Sequence, residues 1–130
     1  MDRVFLDANV LFSAAYKDNA RLLELWKLKN VSLLSSRDAL EEARINLSKQ
    51  DQHARLVKLA AALTLHEAGN RNIPSGIRLP EKDLPILQAA LEARANYLLT
   101  GDIAHFGPYF GRTIEGVEIL APAEYLKNRR

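Results

Sequence analysis

The chain has 130 residues, 48% hydrophobic and 26% charged, enough to bury one core without staples, and is expected to form a single domain over residues 1–130. It has no cysteine, which excludes disulfides and thiolate-held zinc and is compatible with a reducing, intracellular home. Eighteen Lys and Arg against sixteen Asp and Glu leave a net charge of only +2, permissive for nucleic acid without marking it. No apolar run approaches a membrane span and Asp2 and Arg3 enter a strand, not a signal peptide, so no membrane association and a cytoplasmic location are expected.

In chain order, Val4, Phe5 and Leu6 form a buried strand that ends at once in Asp7, Ala8 and Asn9. The carboxyl edge of an open α/β sheet is where ligands bind. Asp7 could equally cap the short helix over residues 10–15, and this stretch alone does not separate the two readings. Leu22, Leu23, Leu25, Trp26 and Leu28 recur at helical spacing, so a second helix is expected from Ala20 to about Lys29. Residues 31–34 read as a second strand. Ser35 and Ser36 offer caps to a third helix, whose apolar stripe is Ala39, Leu40, Ala43 and Leu47. Glu42 lies beside that stripe and could point over the sheet edge. A fourth helix is expected over residues 51–62, residues 63–66 are ambiguous between helix and strand, and residues 69–80 form a loop.

Asp83, Leu84 and Pro85 look like a helix entry, because proline is tolerated where its missing N–H has no intrahelical partner. Ile86, Leu87, Ala90, Leu91 and Ala93 then pack as a helix. Residues 97–100 form a strand ending in Gly101 and Asp102, residues 117–120 a last strand, and residues 122–128 a closing helix with a small basic tail at Lys127, Arg129 and Arg130. His105, Phe106 and Gly107 read as a turn. Strands separated by helices imply a mainly parallel sheet with right-handed crossovers.

That topology brings Asp7, Glu42, Asp83 and Asp102 to one carboxyl edge. Gathered carboxylates repel one another unless a cation compensates, and hard oxygen ligands suit Mg²⁺ or Mn²⁺. Singly, Asp83 could be a cap, Asp102 a turn residue and Glu42 a surface charge; that this bland account needs all three at once, at one edge, makes it the weaker one.

Nearly the whole chain resembles the PIN domains, metal-dependent ribonucleases. The resemblance runs through Leu6-Asp7-Ala8-Asn9-Val10-Leu11, then Leu40-Glu41-Glu42-Ala43-Arg44 and Pro80-Glu81-Lys82-Asp83-Leu84-Pro85, and ends with Leu98-Leu99-Thr100-Gly101-Asp102 and His105-Phe106-Gly107. It is nearest to the VapC-like toxin components of toxin–antitoxin pairs. It implies a three-layer α/β/α fold and a metal-dependent endoribonuclease that cleaves single-stranded RNA. An acidic quartet of Asp7, Glu42, Asp83 and Asp102 would serve as catalytic residues and metal ligands, with Asn9 and Thr100 positioning substrate or water. It implies Mg²⁺ or Mn²⁺ as cofactor, an antitoxin protein as partner and a homodimer. Glu42 is preferred over its neighbour Glu41 because it lies beside Ala39 and Ala43. Arg44, Lys82 and Arg112 are the basic residues to test for phosphate contact. An aspartyl-nucleophile phosphatase would need a second Asp where Asn9 stands. A degenerate PIN-like module that binds RNA or a protein without cutting is the other alternative.

Overall fold

The structure, a computed structural model, describes residues 1–129, so Arg130 of the basic tail lies outside the described residues. Its centre is β1 (Asp2–Leu6), where Val4, Phe5 and Leu6 are wholly buried, as a parallel strand covered by helices on both faces must be. The chain continues through α1 (Ala8–Ala15), β2 (Val31–Ser35), α2 (Arg37–Asn46), α3 (Gln50–Ala60) and β3 (Thr64–Leu65). Its second half comprises α4 (Leu84–Glu92), β4 (Tyr97–Leu99), α5 (Ile103–Phe106), β5 (Thr113–Ile114), β6 (Val117–Leu120) and α6 (Pro122–Lys127).

The strands form one sheet in the order β3-β2-β1-β4-β6-β5, parallel except where β5 pairs antiparallel with β6, and helices complete a three-layer α/β/α arrangement. From β1 the chain first builds outward through β2 and β3, then returns to the other side of β1 with β4. The strand order therefore reverses between β1 and β4, the kind of switch point at which a crevice opens beyond the strand ends. Register makes those ends level: Phe5 pairs with Leu34 and Leu6 with Leu99. Asp7, Ser36 and Thr100 thus leave the sheet side by side.

Several local expectations are corrected. The segment after Ala20 is a 3₁₀ helix, Arg21–Lys27, instead of an α-helix reaching Lys29. Buried Leu25 is flanked at three-residue spacing by partly buried Leu22 and Leu28, which suits the eclipsed i, i+3 faces of a 3₁₀ turn. Ser36 caps α2, its Oγ accepting from the Ala39 N–H at 3.1 Å. Ser35 belongs to β2, and its hydroxyl donates to the Leu6 carbonyl at 2.8 Å. The ambiguous residues resolve into β3. His105 lies in α5, not a simple turn, and α5 runs into a short 3₁₀ turn at Gly107–Tyr109. The antiparallel β5 was unforeseen. Its two-residue turn holds Glu115 and Gly116 at φ 46° and 89°, the double positive-φ pattern of a tight hairpin.

Candidate acidic active site

Asp7 sits where β1 ends and α1 begins, and both sequence readings of it apply. It is the N-cap of α1, its Oδ1 accepting from the Ala8 N–H at 2.7 Å. Its Oδ2 accepts from the Thr100 hydroxyl at 2.8 Å and from the Asn9 amide at 3.2 Å. The same carboxylate lines a cavity of about 80 Å³ together with Glu42, Lys82 and Asp83. Burial pushes the Asp7 carboxyl up to about 6; the Thr100 and Ala8 hydrogen bonds oppose this, and the charges of Glu42 and Asp83 add to it.

Thr100 and Asn9 tie the two central strand ends together. Having donated its proton to Asp7, the Thr100 Oγ1 accepts from the Asp102 N–H at 3.1 Å and from the Asn9 amide at 3.2 Å. The Asn9 Oδ1 accepts from the Gly101 N–H at 2.7 Å. Gly101 permits this approach, since a Cβ there would meet the Asn9 Oδ1 at 3.3 Å. Asp7 is thereby held rigidly by groups on both sides of the switch point.

Asp83 is brought in by the turn that opens α4. It occupies the N-cap position but makes no side-chain capping bond, with φ −97° and ψ −16°, and it is largely buried. Its Oδ2 has no hydrogen-bond partner among the described residues. The nearby His105 Nδ1, at 3.1 Å, is already engaged at 2.8 Å by the Asp102 Oδ2, and one ring N–H cannot serve both oxygens well. Burial and then the Asp102 charge raise the Asp83 pKa, while His105 and Lys82 pull it back. Asp102 caps α5, its Oδ1 accepting from the His105 N–H at 3.2 Å. One ligand atom from each of Asp83, Asp102 and His105 lies within 4.8 Å of the others, a spacing that a small cation could bridge.

Glu42 and Glu41 diverge. Glu42 faces the cavity shared with Asp7 and Asp83, whereas Glu41 points to the outer side of α2 and is paired with Arg44. Arg44 is therefore engaged away from the acidic cavity, and the same ion pair holds the exposed Glu41 carboxyl below its usual range. Arg112 also lies elsewhere, its guanidinium 5.6 Å from the Tyr109 ring centre at the entry to the outer strand β5. Of the basic residues singled out, only Lys82 lines the acidic cavity.

Two neighbours were not anticipated. Asp38 lines the cavity one helical turn before Glu42, and its i, i+4 spacing on a capped helix was the signal to look for. His105, read from sequence as part of a turn, stands three residues after a strand-end Asp, a spacing that puts both on one side of a first helical turn. The donor set suits a hard divalent ion: several carboxylates, one of them with a buried oxygen lacking a partner, and one imidazole.

A family model described as the PIN domain matches residues 3–104. Among solved structures, the chain is similar to the crystal structure of VapBC2 from Rickettsia felis bound to a DNA fragment from their promoter. The TM-score is 0.62 at 19% identity, covering 92% of this chain and 98% of that one. No curated protein matches the chain.

Proposed function

We propose, from the premise that this chain belongs to the PIN-domain family, that it is a divalent-metal-dependent endoribonuclease acting on single-stranded RNA. PIN domains are generally nucleases. The observation that carries the reading is the Asp83 carboxylate: its pKa is raised by burial and then by the Asp102 charge, and among the described residues its Oδ2 has no hydrogen-bond partner, only the shared His105 Nδ1 at 3.1 Å. Such a group costs stability in the isolated chain and is explained if a cation completes it.

Asp7, Glu42, Asp83 and Asp102 would hold Mg²⁺ or Mn²⁺. When bound, the ion supplies charge stabilisation at phosphorus and activates water for in-line attack. The chain's residues do the rest. Asn9 and Thr100 fix the Asp7 carboxylate from two sides where it lines the cavity. The His105 imidazole steadies Asp102 through Nδ1. Lys82, which lines the cavity, would meet a phosphate oxygen. Since the attacking group is water, the ribose 2′-hydroxyl is not consumed, and the fragments carry a 5′-phosphate and a free 3′-hydroxyl. Single strands are favoured because a paired A-form helix cannot easily present one phosphate to a recessed acidic cavity.

The likeness to a VapBC2 complex supports, as part of the same proposal, a toxin role with an antitoxin protein as partner; a homodimeric assembly is proposed with it. Among the described residues no helix is long and apolar enough to cross a membrane. The test is to incubate purified protein with a structured RNA and Mn²⁺ and to read the fragment ends by mass spectrometry, with chelator and Asp102→Asn controls. Cleavage at unpaired positions with 5′-phosphate ends is expected. Cyclic-phosphate ends, or cutting that survives both controls, would overturn the reading; metal binding with no cleavage of several RNAs would point to a module that binds without cutting.

A further inference from the structure

A second cavity, of about 420 Å³, opens between α1 and α2 and is lined by Ala8, Asn9, Phe12, Glu42 and Asn46. Glu42 lines both this cavity and the acidic one, so the two adjoin at a single side chain. Their chemistry differs. The acidic cavity has room for an ion and its waters, whereas the second falls in the ~300–1,000 Å³ range of organic-ligand sites and has an aromatic wall. Phe12 is only partly buried, and its ring lies 5.4 Å from that of Tyr16, which is 54% exposed, so α1 presents two aromatic rings one turn apart. Across the groove, the exposed Asn46 amide makes no hydrogen bond among the described residues and offers both a donor and an acceptor.

We infer that this groove is a nucleobase subsite: the base next to the phosphate held at Glu42 and Asp7 stacks on Phe12, and its edge meets the Asn46 amide. This rests on the nuclease reading for the phosphate's position and adds to it the group that selects the nucleotide. Continuity through Glu42 sets the occupant, because a nucleotide is a ligand that joins an anionic group needing a cation to a flat ring that can stack on an aromatic wall in the adjoining groove. Aromatic side chains are the usual platforms for unpaired bases, and an amide can read a base edge with paired hydrogen bonds.

The experiment compares adenosine 5′-monophosphate with ribose 5-phosphate, which lacks the base, by calorimetric titration in Mg²⁺. The parent chain is expected to bind the nucleotide on the order of tenfold more tightly than the sugar phosphate, the usual scale of one base stacked on one ring. Phe12→Leu keeps the apolar bulk that packs on the core but removes the π-face, and should cut that ratio to within about twofold of unity; Phe12→Tyr should restore it. Phe12→Ala joins the series if its melting temperature shows it folded, while the Leu and Tyr variants carry the argument otherwise. Asn46→Ala should level the affinities for the four common nucleoside monophosphates, and an unchanged ranking would remove the amide's part. Equal binding of nucleotide and sugar phosphate by the parent, binding of neither, or an undiminished ratio in Phe12→Leu would overturn the subsite. RNA cleavage, scored separately, keeps the two proposals apart. Cutting without base preference sinks only the subsite; base preference without cutting sinks only the nuclease.

Discussion

Asp2 opens β1 and Asp7 follows its last residue, yet only one of the two has a cation bonded to it. The Asp2 Oδ2 accepts from the Tyr125 hydroxyl at 2.8 Å and pairs with the Arg129 guanidinium at 2.7 Å. Arg129 in turn lies 4.6 Å from the Tyr125 ring centre and 5.4 Å from that of Tyr97. The chain thus supplies its own counter-charge at the amino edge of the sheet and uses it to clasp the C-terminal helix onto β1. At the carboxyl edge Asp7 is bonded only to neutral donors, and the charges that act on it are those of Glu42 and Asp83. A carboxylate that holds a fold together is neutralised from within. A set in which the pKa values of Asp7 and Asp83 are raised by burial and then by neighbouring acids is arranged for a cation from outside.

The sharpest way to break this contrast is to remove a carboxylate from the unbalanced edge and measure RNA cleavage. Asp102→Asn should lower the rate by roughly a hundredfold or more, since it removes both a ligand oxygen and the anchor of the His105 ring. The same substitution should shrink the rise in melting temperature on adding Mn²⁺, which for the parent at about a hundred times the dissociation constant corresponds to ~2.7 kcal/mol. A full-sized Mn²⁺ shift in the variant would show that Asp102 is no ligand.

Next in size is the pH dependence of the metal-free protein, governed by Asp7. Its carboxyl is raised from 3.8 to about 6, so below the lower value both folded and unfolded states hold the proton and there is no penalty. As pH rises, the unfolded chain releases its proton first. Stability is therefore lost through the window between these two values, by up to ~3 kcal/mol for a shift of about two units. In chelator at neutral pH, Asp7→Asn should recover part of this, offset by ~1 kcal/mol because the amide NH2 that replaces one carboxylate oxygen cannot accept from the Ala8 N–H while the remaining oxygen accepts from Thr100 and Asn9. Urea titrations at several pH values would check it; a parent chain no less stable above the window than below it would mean that Asp7 is not strained by burial.

At the balanced edge the expected effect is smaller and opposite in kind. Arg129→Ala removes the partner of Asp2 and a cation stacked on two rings, and should cost ~1–2 kcal/mol of stability. Cleavage, with the metal present, should stay at the parental rate. A loss of activity without loss of stability would show that the two edges are coupled and that the amino edge is not purely structural.

How much of this was legible in the sequence depended on the range of the interactions involved. The strand of Val4, Phe5 and Leu6, the buried face of α4 and the strand-end positions of Asp7 and Asp102 follow from local pattern, and the structure has them there. The 3₁₀ form of Arg21–Lys27 did not, because Leu22, Leu25 and Leu28 fit a three-residue spacing as well as an α-helical one. The hairpin at Glu115 and Gly116 was hidden by the shortness of β5, which needs β6 beside it to exist at all. Within the site, the placement of Arg44 turned on a neighbour on its own helix: the i, i+3 contact with Glu41 holds it on the outer side. His105 could not be placed without knowing that the turn before α4 delivers Asp83 to the same spot.

The smallest expected change in stability comes from Asp83→Asn, and it separates a cap from a ligand. A capping aspartate replaced by asparagine keeps its bond, since the two cap about equally well, so an unchanged stability alone would not decide the matter. Here, however, the Asp83 side chain makes no capping bond, and among the described residues its Oδ2 has no hydrogen bond to lose, only the nearby His105 Nδ1 at 3.1 Å. What the substitution removes is a charge held in a partly buried site, repelled by Asp102 and attracted by His105 and Lys82. Burial and Asp102 outweigh His105 and Lys82, so losing the charge should leave the metal-free protein as stable as the parent or slightly more so, by no more than about 0.5 kcal/mol. The Mn²⁺-induced rise in melting temperature should nevertheless fall, and cleavage with it, because a neutral amide is a poor substitute for a carboxylate on a divalent ion. Melting curves with and without Mn²⁺, beside cleavage rates, read all three quantities. If the metal response and the rate both match the parent, Asp83 is neither cap nor ligand, and the acidic site shrinks to the carboxylates of Asp7, Glu42 and Asp102.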